Sequence, residues 1–170
     1  GGNGSGGSYA SNLGDGTNTN RSEPVFCLDL NGNHLTNITQ IYASDDVSMF
    51  LDGDGHVWTA GGQQKNTTIL GRLATGGYAA TSTGGASAYF GMVYVAAGVP
   101  LSNIKQIAAG DVNCQALDGD GYVWGWGDSW NSAIGVGQDK SSSHPMKVIA
   151  GLLDAADTDG AYLLAKSIGA

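Results

Sequence analysis

Residues Leu117 to Gly127 read LDGDGYVWGWG, and an offset of 66 positions, from Leu117 back to Leu51, finds LDGDGHVWTAG ending at Gly61. The same offset carries Asn37-Ile38-Thr39-Gln40-Ile41 onto Asn103-Ile104-Lys105-Gln106-Ile107. Two separate blocks moving together identify an internal repeat. A period of this size, with several short strands per unit and no helical periodicity, reads as an all-β propeller or a related array. In such arrays each unit buries its faces against its neighbours.

Each copy has a local reading. Asp-Gly between apolar runs is a strong hairpin signal, because Gly and Asp accept the positive φ that a tight primed turn demands. The turns are therefore placed at Asp54-Gly55 and Asp120-Gly121, with Met49-Phe50-Leu51 and Gln115-Ala116-Leu117 leading into them. On the far side Val57 and Val123 alternate with Trp58 and Trp124, so both faces of the strand are filled, as in a sheet stacked among sheets.

The composition bounds the rest. A chain of 170 residues with 41% hydrophobic content can build one cored domain, and 29 glycines against 13% charged residues favour short strands and tight turns over helices. The net charge is −8, and the seven bases are scattered, so the clustered positive charge that nucleic acid needs is missing. No run approaches the roughly 18 apolar residues of a membrane span. No charged-then-apolar leader opens the chain, so export would imply a signal already removed. Sparse lysine with abundant Asn, Ser, Thr and Gly leans towards an extracellular or cell-surface setting. Sequons at Asn3, Asn37 and Asn66 are compatible with it. Cys27 and Cys114 lack metal-ligand spacing and are compatible either with a disulfide in an exported chain or with two buried thiols.

The unit can be followed further. Ile107-Ala108-Ala109-Gly110, Asp120 to Gly127, Ile134-Gly135-Val136-Gly137 and Pro145-Met146-Lys147-Val148 occur in one unbroken order. An earlier Leu13-Gly14-Asp15-Gly16 followed by Pro24-Val25 matches its later part. This order resembles the repeat of the regulator of chromosome condensation family, especially its bacterial members. The resemblance implies consecutive four-stranded antiparallel blades, here an incomplete, open part of a seven-bladed ring or a self-associating array. It divides the chain into a partial unit at about 1–38, units at about 39–102 and 103–165, and the start of another at 166–170. The middle unit departs from the pattern: Ala60 stands where the later copy has Trp126, and a Gly- and Ala-rich run from Ala74 to Ala88 precedes a strand near Phe90 to Val95.

No constellation carries catalysis. His34, His56 and His144 lie in three different turn or loop settings, and no Ser or Cys stands in a nucleophile motif. No phosphate-binding loop exists. Asp52 with Asp54, and Asp118 with Asp120, begin like calcium loops, but the twelfth positions hold Gln63 and Ser129 in place of a bidentate Glu. Hairpin turn is the favoured reading there, and the loop acids Asp154, Asp157 and Asp159 are the better placed to converge on calcium. No other cofactor is expected. Trp130, Tyr122 and His56 form the candidate binding surface. Two function classes follow. One is a non-enzymatic extracellular interaction or structural module that binds a protein or glycan, or copies of itself as an oligomer or filament. The other is the guanine-nucleotide exchange and chromatin association of the eukaryotic family, against which the acidic balance counts.

Overall fold

The structure, a computed structural model, describes residues 12–44, 47–62, 87–110, 113–128, 134–136, 141–149 and 162–169. The alternating apolar runs form β1 (Ile38–Ala43), β2 (Val47–Asp52), β3 (Val57–Gly61) and β4 (Ser87–Met92), and then β5 (Tyr94–Ala96) and β6 (Val99–Pro100). The second copy supplies β7 (Ile104–Ala109), β8 (Asn113–Asp118), β9 (Val123–Gly127) and β10 (Ser142–Lys147). Among the described residues β1 to β4 make one antiparallel sheet in chain order, β7 to β10 make another, and β5 pairs with β6 between them. These are two consecutive four-stranded blades of an open, partial propeller. Sequence equivalence carries through to register: Leu51 faces Val57 as Leu117 faces Val123, and both first strands slip register, between Ile38 and Gln40 and between Ile104 and Gln106.

The core lies between the blades. Val47, Met49, Leu51 and Val57 of the first blade pack on Ile104, Ile107, Cys114, Ala116 and Trp126 of the second. The alternation of strand side chains provides this, since residues two apart share a face. The first blade has Ala60 where the second has Trp126. In compensation Phe50, the counterpart of Ala116, stacks on the buried Phe90 with ring centroids 4.2 Å apart.

A second device sets the spacing of the blades. Gln40 reaches across to β7, where its Nε2 donates to the Lys105 carbonyl (2.7 Å) and its Oε1 accepts from the Ile107 N–H (3.3 Å). Gln106 repeats the gesture one unit on, accepting from the Ile168 N–H at 2.9 Å. Removing the Gln40 carboxamide leaves two backbone groups of β7 without this partner. Gln40→Ala is therefore expected to cost about 1–2 kcal/mol, read as a lower urea midpoint with an unchanged slope. An unchanged midpoint would show that water replaces the clamp at no loss.

The repeat extends beyond the two sheets. Ile104 N–H donates to the Gly55 carbonyl (3.0 Å), and Ala165 N–H donates to the Gly121 carbonyl (2.8 Å). Gly14 and Gly135 occupy equivalent left-handed positions, φ +65° and +69°, and accept from Leu28 and Ile149 N–H. Leu35, Leu101 and Leu163 donate in the same way to the carbonyls of Cys27, Val93 and Val148. The residues around Leu13 to Leu35 thus repeat the end of a unit, and those from Ala165 repeat the beginning of one. The Gly- and Ala-rich run up to residue 86 and the acidic run 151–159 lie outside the described residues. No helix among the described residues is long and apolar enough to cross a membrane.

Candidate functional site

The two repeated hairpins form one rim of the molecule, and their geometry corrects the two-residue turn expected from Asp-Gly. Asp52 N–H donates to the His56 carbonyl and Gly55 N–H to the Asp52 carbonyl, so the loop holds three residues, Gly53-Asp54-Gly55. Asp118 and Tyr122 bracket Gly119-Asp120-Gly121 in the same way. Three-residue hairpins place their last loop residue in the left-handed region. Accordingly Gly55 has φ +84° and Gly121 φ +91°, while neither Asp54 nor Asp120 has positive φ. A Cβ on Gly55 would also come within 3.1 Å of the Ile104 nitrogen. Gly121→Val is expected to destabilise by about 1 kcal/mol or more through backbone strain, and Gly55→Val by more, in paired denaturant titrations. Equal stability in all three proteins would contradict the strained backbone.

The residue that builds each hairpin is the first aspartate. Asp52 Oδ1 accepts from the Asp54 and His56 N–H groups at 3.0 and 2.9 Å, and its Oδ2 accepts from the Trp58 indole at 2.9 Å. Asp118 does the same with Asp120, Tyr122 and Trp124 at 3.0, 2.9 and 2.9 Å. Burial opposes the Asp52 charge, but the bonds from the indole and the two amides, with His56 nearby, outweigh it and hold the carboxyl below its ordinary range. The calcium-loop pattern draws attention to these residues for another chemistry and misses this role. A signal for it exists in the spacing, an Asp six residues before a Trp in both copies.

Of the other candidates, Asp54, Asp120, His56 and Tyr122 belong to this rim. Asp54 and Asp120 are exposed at the loop tips, and Asn103 Nδ2 lies 3.4 Å from Asp120 Oδ2. His56 is partly buried with Nδ1 3.5 Å from Asp52 Oδ2. Tyr122, its counterpart, has the Lys147 ammonium 3.5 Å from its ring centroid, with Trp124 and Tyr162 at 5.3 and 5.1 Å. Cys27 donates its thiol to the Leu13 carbonyl, Cys114 is buried in the inter-blade core, and no disulfide joins them. Burial raises the pKa of both thiols, so neither is poised as a nucleophile. Trp130, Asp154, Asp157 and Asp159 lie outside the described residues. Among the described residues no three His, Cys, Asp or Glu side chains come together in a way that could hold a metal ion.

A cavity of about 250 Å³ opens between the segment before β1 and the first hairpin. Its wall includes Asp29, His34, Asn37, Asp52, Asp54 and Trp58. Asp29 belongs to a linker turn: its Oδ1 accepts from Asn31 and Asn33 N–H at 2.8 Å each, and its Oδ2 from Asn33 Nδ2 at 3.0 Å. Burial works against that charge too, but the donors prevail and lower the pKa. His34 stacks on Phe26 with centroids 4.1 Å apart.

No family model matches the sequence, and no curated protein sequence is similar to it. Solved structures are similar in fold. Human WBSCR16 superposes with a TM-score of 0.51 at 20% identity, over 68% of this chain and 27% of its own. Prp20p of Saccharomyces cerevisiae, described with its binding to Gsp1p and histones, superposes with a TM-score of 0.58 at 19% identity, over 82% of this chain and 33% of its own. Both are RCC1-repeat proteins, and the fold is an RCC1-like β-propeller fold. The chain spans a third or less of the length of either.

Proposed function

We propose that this chain is a non-enzymatic, propeller-type scaffold whose hairpin rim binds a protein partner, in an extracellular or cell-surface setting. The observation that carries the reading is the duplicated hairpin. One carboxylate in each copy is spent on holding the loop rigid, and the next, Asp54 or Asp120, is presented at its tip. Binding residues carried on loops fixed by a scaffold are the usual arrangement of recognition surfaces. Prp20p is described with two protein partners, Gsp1p and histones, and binding of a protein is the mode extended to this chain. In this reading Asp29 and Asp52 serve the loops and not proton transfer. Asp29 and Asp52 are held below the ordinary range, whereas a general acid or base at neutral pH needs a raised carboxyl. The extracellular setting rests on composition alone.

The reading is tested by probing protein and glycan arrays with the labelled chain and with a D54A/D120A variant. We expect a protein spot whose signal falls about tenfold in the variant, equivalent to roughly 1.4 kcal/mol. Binding confined to glycan spots would overturn the protein reading in favour of a glycan ligand.

One observation favours a second copy of the chain as that partner. Ile41 is 73% exposed, while its repeat counterpart Ile107 is 7% exposed beneath the first blade. Light scattering decides between them: a concentration-independent monomer would remove self-association and leave a different protein as the partner.

A further inference from the structure

We propose that Asn31-Gly32, in the turn before β1, is a site of spontaneous deamidation, and that the isoaspartate formed there releases Asp29 from its hydrogen bonds. The Gly32 backbone nitrogen, once deprotonated, attacks the Asn31 side-chain carbonyl carbon and closes a five-membered imide, and Asn31 Nδ2 leaves as ammonia. Water then opens the ring at either carbonyl. One opening gives aspartate; the other gives isoaspartate, in which the main chain runs through the side-chain carbon. The sequence of steps consumes only water and needs no oxidant, reductant or enzyme.

Three observations single out this pair. Asn31 and Gly32 are both exposed, so water and hydroxide reach the reacting atoms. Gly32 has φ +81°, and a Cβ built on it would meet nothing within 4 Å, so no packed neighbour crowds the residue that attacks. Every other described asparagine is followed by a residue with a side chain, which obstructs the attacking nitrogen. One hydrogen bond has to open first, from the Gly32 N–H to the Asp29 carbonyl at 3.0 Å. Exposed turns open locally at little cost.

The same turn carries the consequence. Asp29 Oδ1 accepts from the Asn31 and Asn33 N–H groups at 2.8 Å each, and its Oδ2 accepts from Asn33 Nδ2 at 3.0 Å. These donors lie on either side of the Asn31–Gly32 bond. An isoaspartate therefore inserts one main-chain carbon between them and puts a second carboxylate beside the first. Burial opposes the Asp29 charge, and the donors from Asn33 and Asn31 outweigh it and lower the pKa. Losing donors while gaining a like charge raises it. Asp29 and His34 line the cavity beside the first hairpin, so the change alters that wall.

The test is incubation of the intact chain at mildly alkaline pH in water enriched in heavy oxygen, followed by tryptic mapping with electron-transfer fragmentation, which separates aspartate from isoaspartate. Arg21 and Lys65 bound the peptide that contains Asn31, and Asn3-Gly4, outside the described residues, falls in another. We expect conversion at Asn31 about tenfold faster than at any other described asparagine, a barrier difference of roughly 1.4 kcal/mol. The rate should rise with hydroxide, and isoaspartate should appear beside aspartate, each labelled with oxygen from the water. Asn31→Gln, whose longer side chain would have to close a six-membered ring, should show no conversion at that position. In the aged chain Asp29 should titrate higher by NMR than in the parent. Asn31→Asp, which adds the charge without the extra carbon, should show only part of that rise. Deamidation first at Asn33 or Asn37, or none at Asn31 in the folded chain, overturns the site. An Asp29 titration unchanged by isoaspartate overturns its release.

Discussion

Trp126→Ala is expected to destabilise the chain by about 4 kcal/mol, a larger loss than any other single truncation in the inter-blade core should bring. Trp126 is fully buried, faces Cys114 across the β8–β9 ladder, and belongs to the core that joins the two blades. Deleting its indole opens a void with blade on both sides. Neither sheet can close it without breaking the register that Gln40 and the Gly55–Ile104 hydrogen bond hold. For a chain of this size the loss corresponds to a fall in melting temperature of roughly 10 °C, measurable by calorimetry. Trp126→Phe should recover about half of it, because a ring still fills part of the space. A loss below about 1 kcal/mol for the alanine variant would mean that the blades are not packed as one unit. In the first blade Ala60 holds the equivalent position, and that blade carries the Phe50–Phe90 stack. The second blade has Ala116 where Phe50 stands and Pro145 two residues before Lys147, as Phe90 is two before Met92. Neither Ala116 nor Pro145 can replace the indole.

These contrasts show what a single sequence makes legible. The blades can be read because their signals are local and duplicated: an Asp-Gly loop, a Val-Trp strand and a spacing that repeats. The length of the loop cannot, because Asp-Gly marks both two- and three-residue hairpins. Which one forms depends on whether Asp52 closes the turn across to His56. The role of Gln40 is hidden for a different reason. It stands inside a repeated block, but its partners are Lys105 and Ile107 in the next unit, and no local pattern names a contact at that separation. The cavity is least visible of all. Asp29 and His34 come from the linker before the first complete unit, and only folding brings them to Asp54 and Trp58.

Asp118→Ala is expected to cost about 3 kcal/mol, whereas Asp120→Asn, two residues on, should stay within about 0.5 kcal/mol of the parent. The two aspartates look alike in the sequence, yet they have opposite relations to the fold. Asp118 is buried and its carboxylate accepts three hydrogen bonds, two from loop amides and one from the Trp124 indole. Bonds to a charged acceptor are about twice as strong as neutral ones, and truncation strands all three donors together. Asp118→Asn should fall between the two, since an amide can accept at only one of its two side-chain positions and must lose either the loop or the indole. Asp52 should respond to acid in a way that reports the same clamp. Its folded-state pKa is lowered from the ordinary 3.8, so its contribution is complete above that value and is lost as pH falls through the lower folded value. Stability of the parent should therefore decline below about pH 4, and Asp52→Asn should remove part of that decline. Chemical denaturation at neutral and acid pH measures both. If Asp118→Ala and Asp120→Asn are equally mild, the hairpins are held by backbone alone. If both are severe, the tip carboxylate is structural and cannot serve as the presented binding group. Separation of the two is what leaves Asp54 and Asp120 available for a partner.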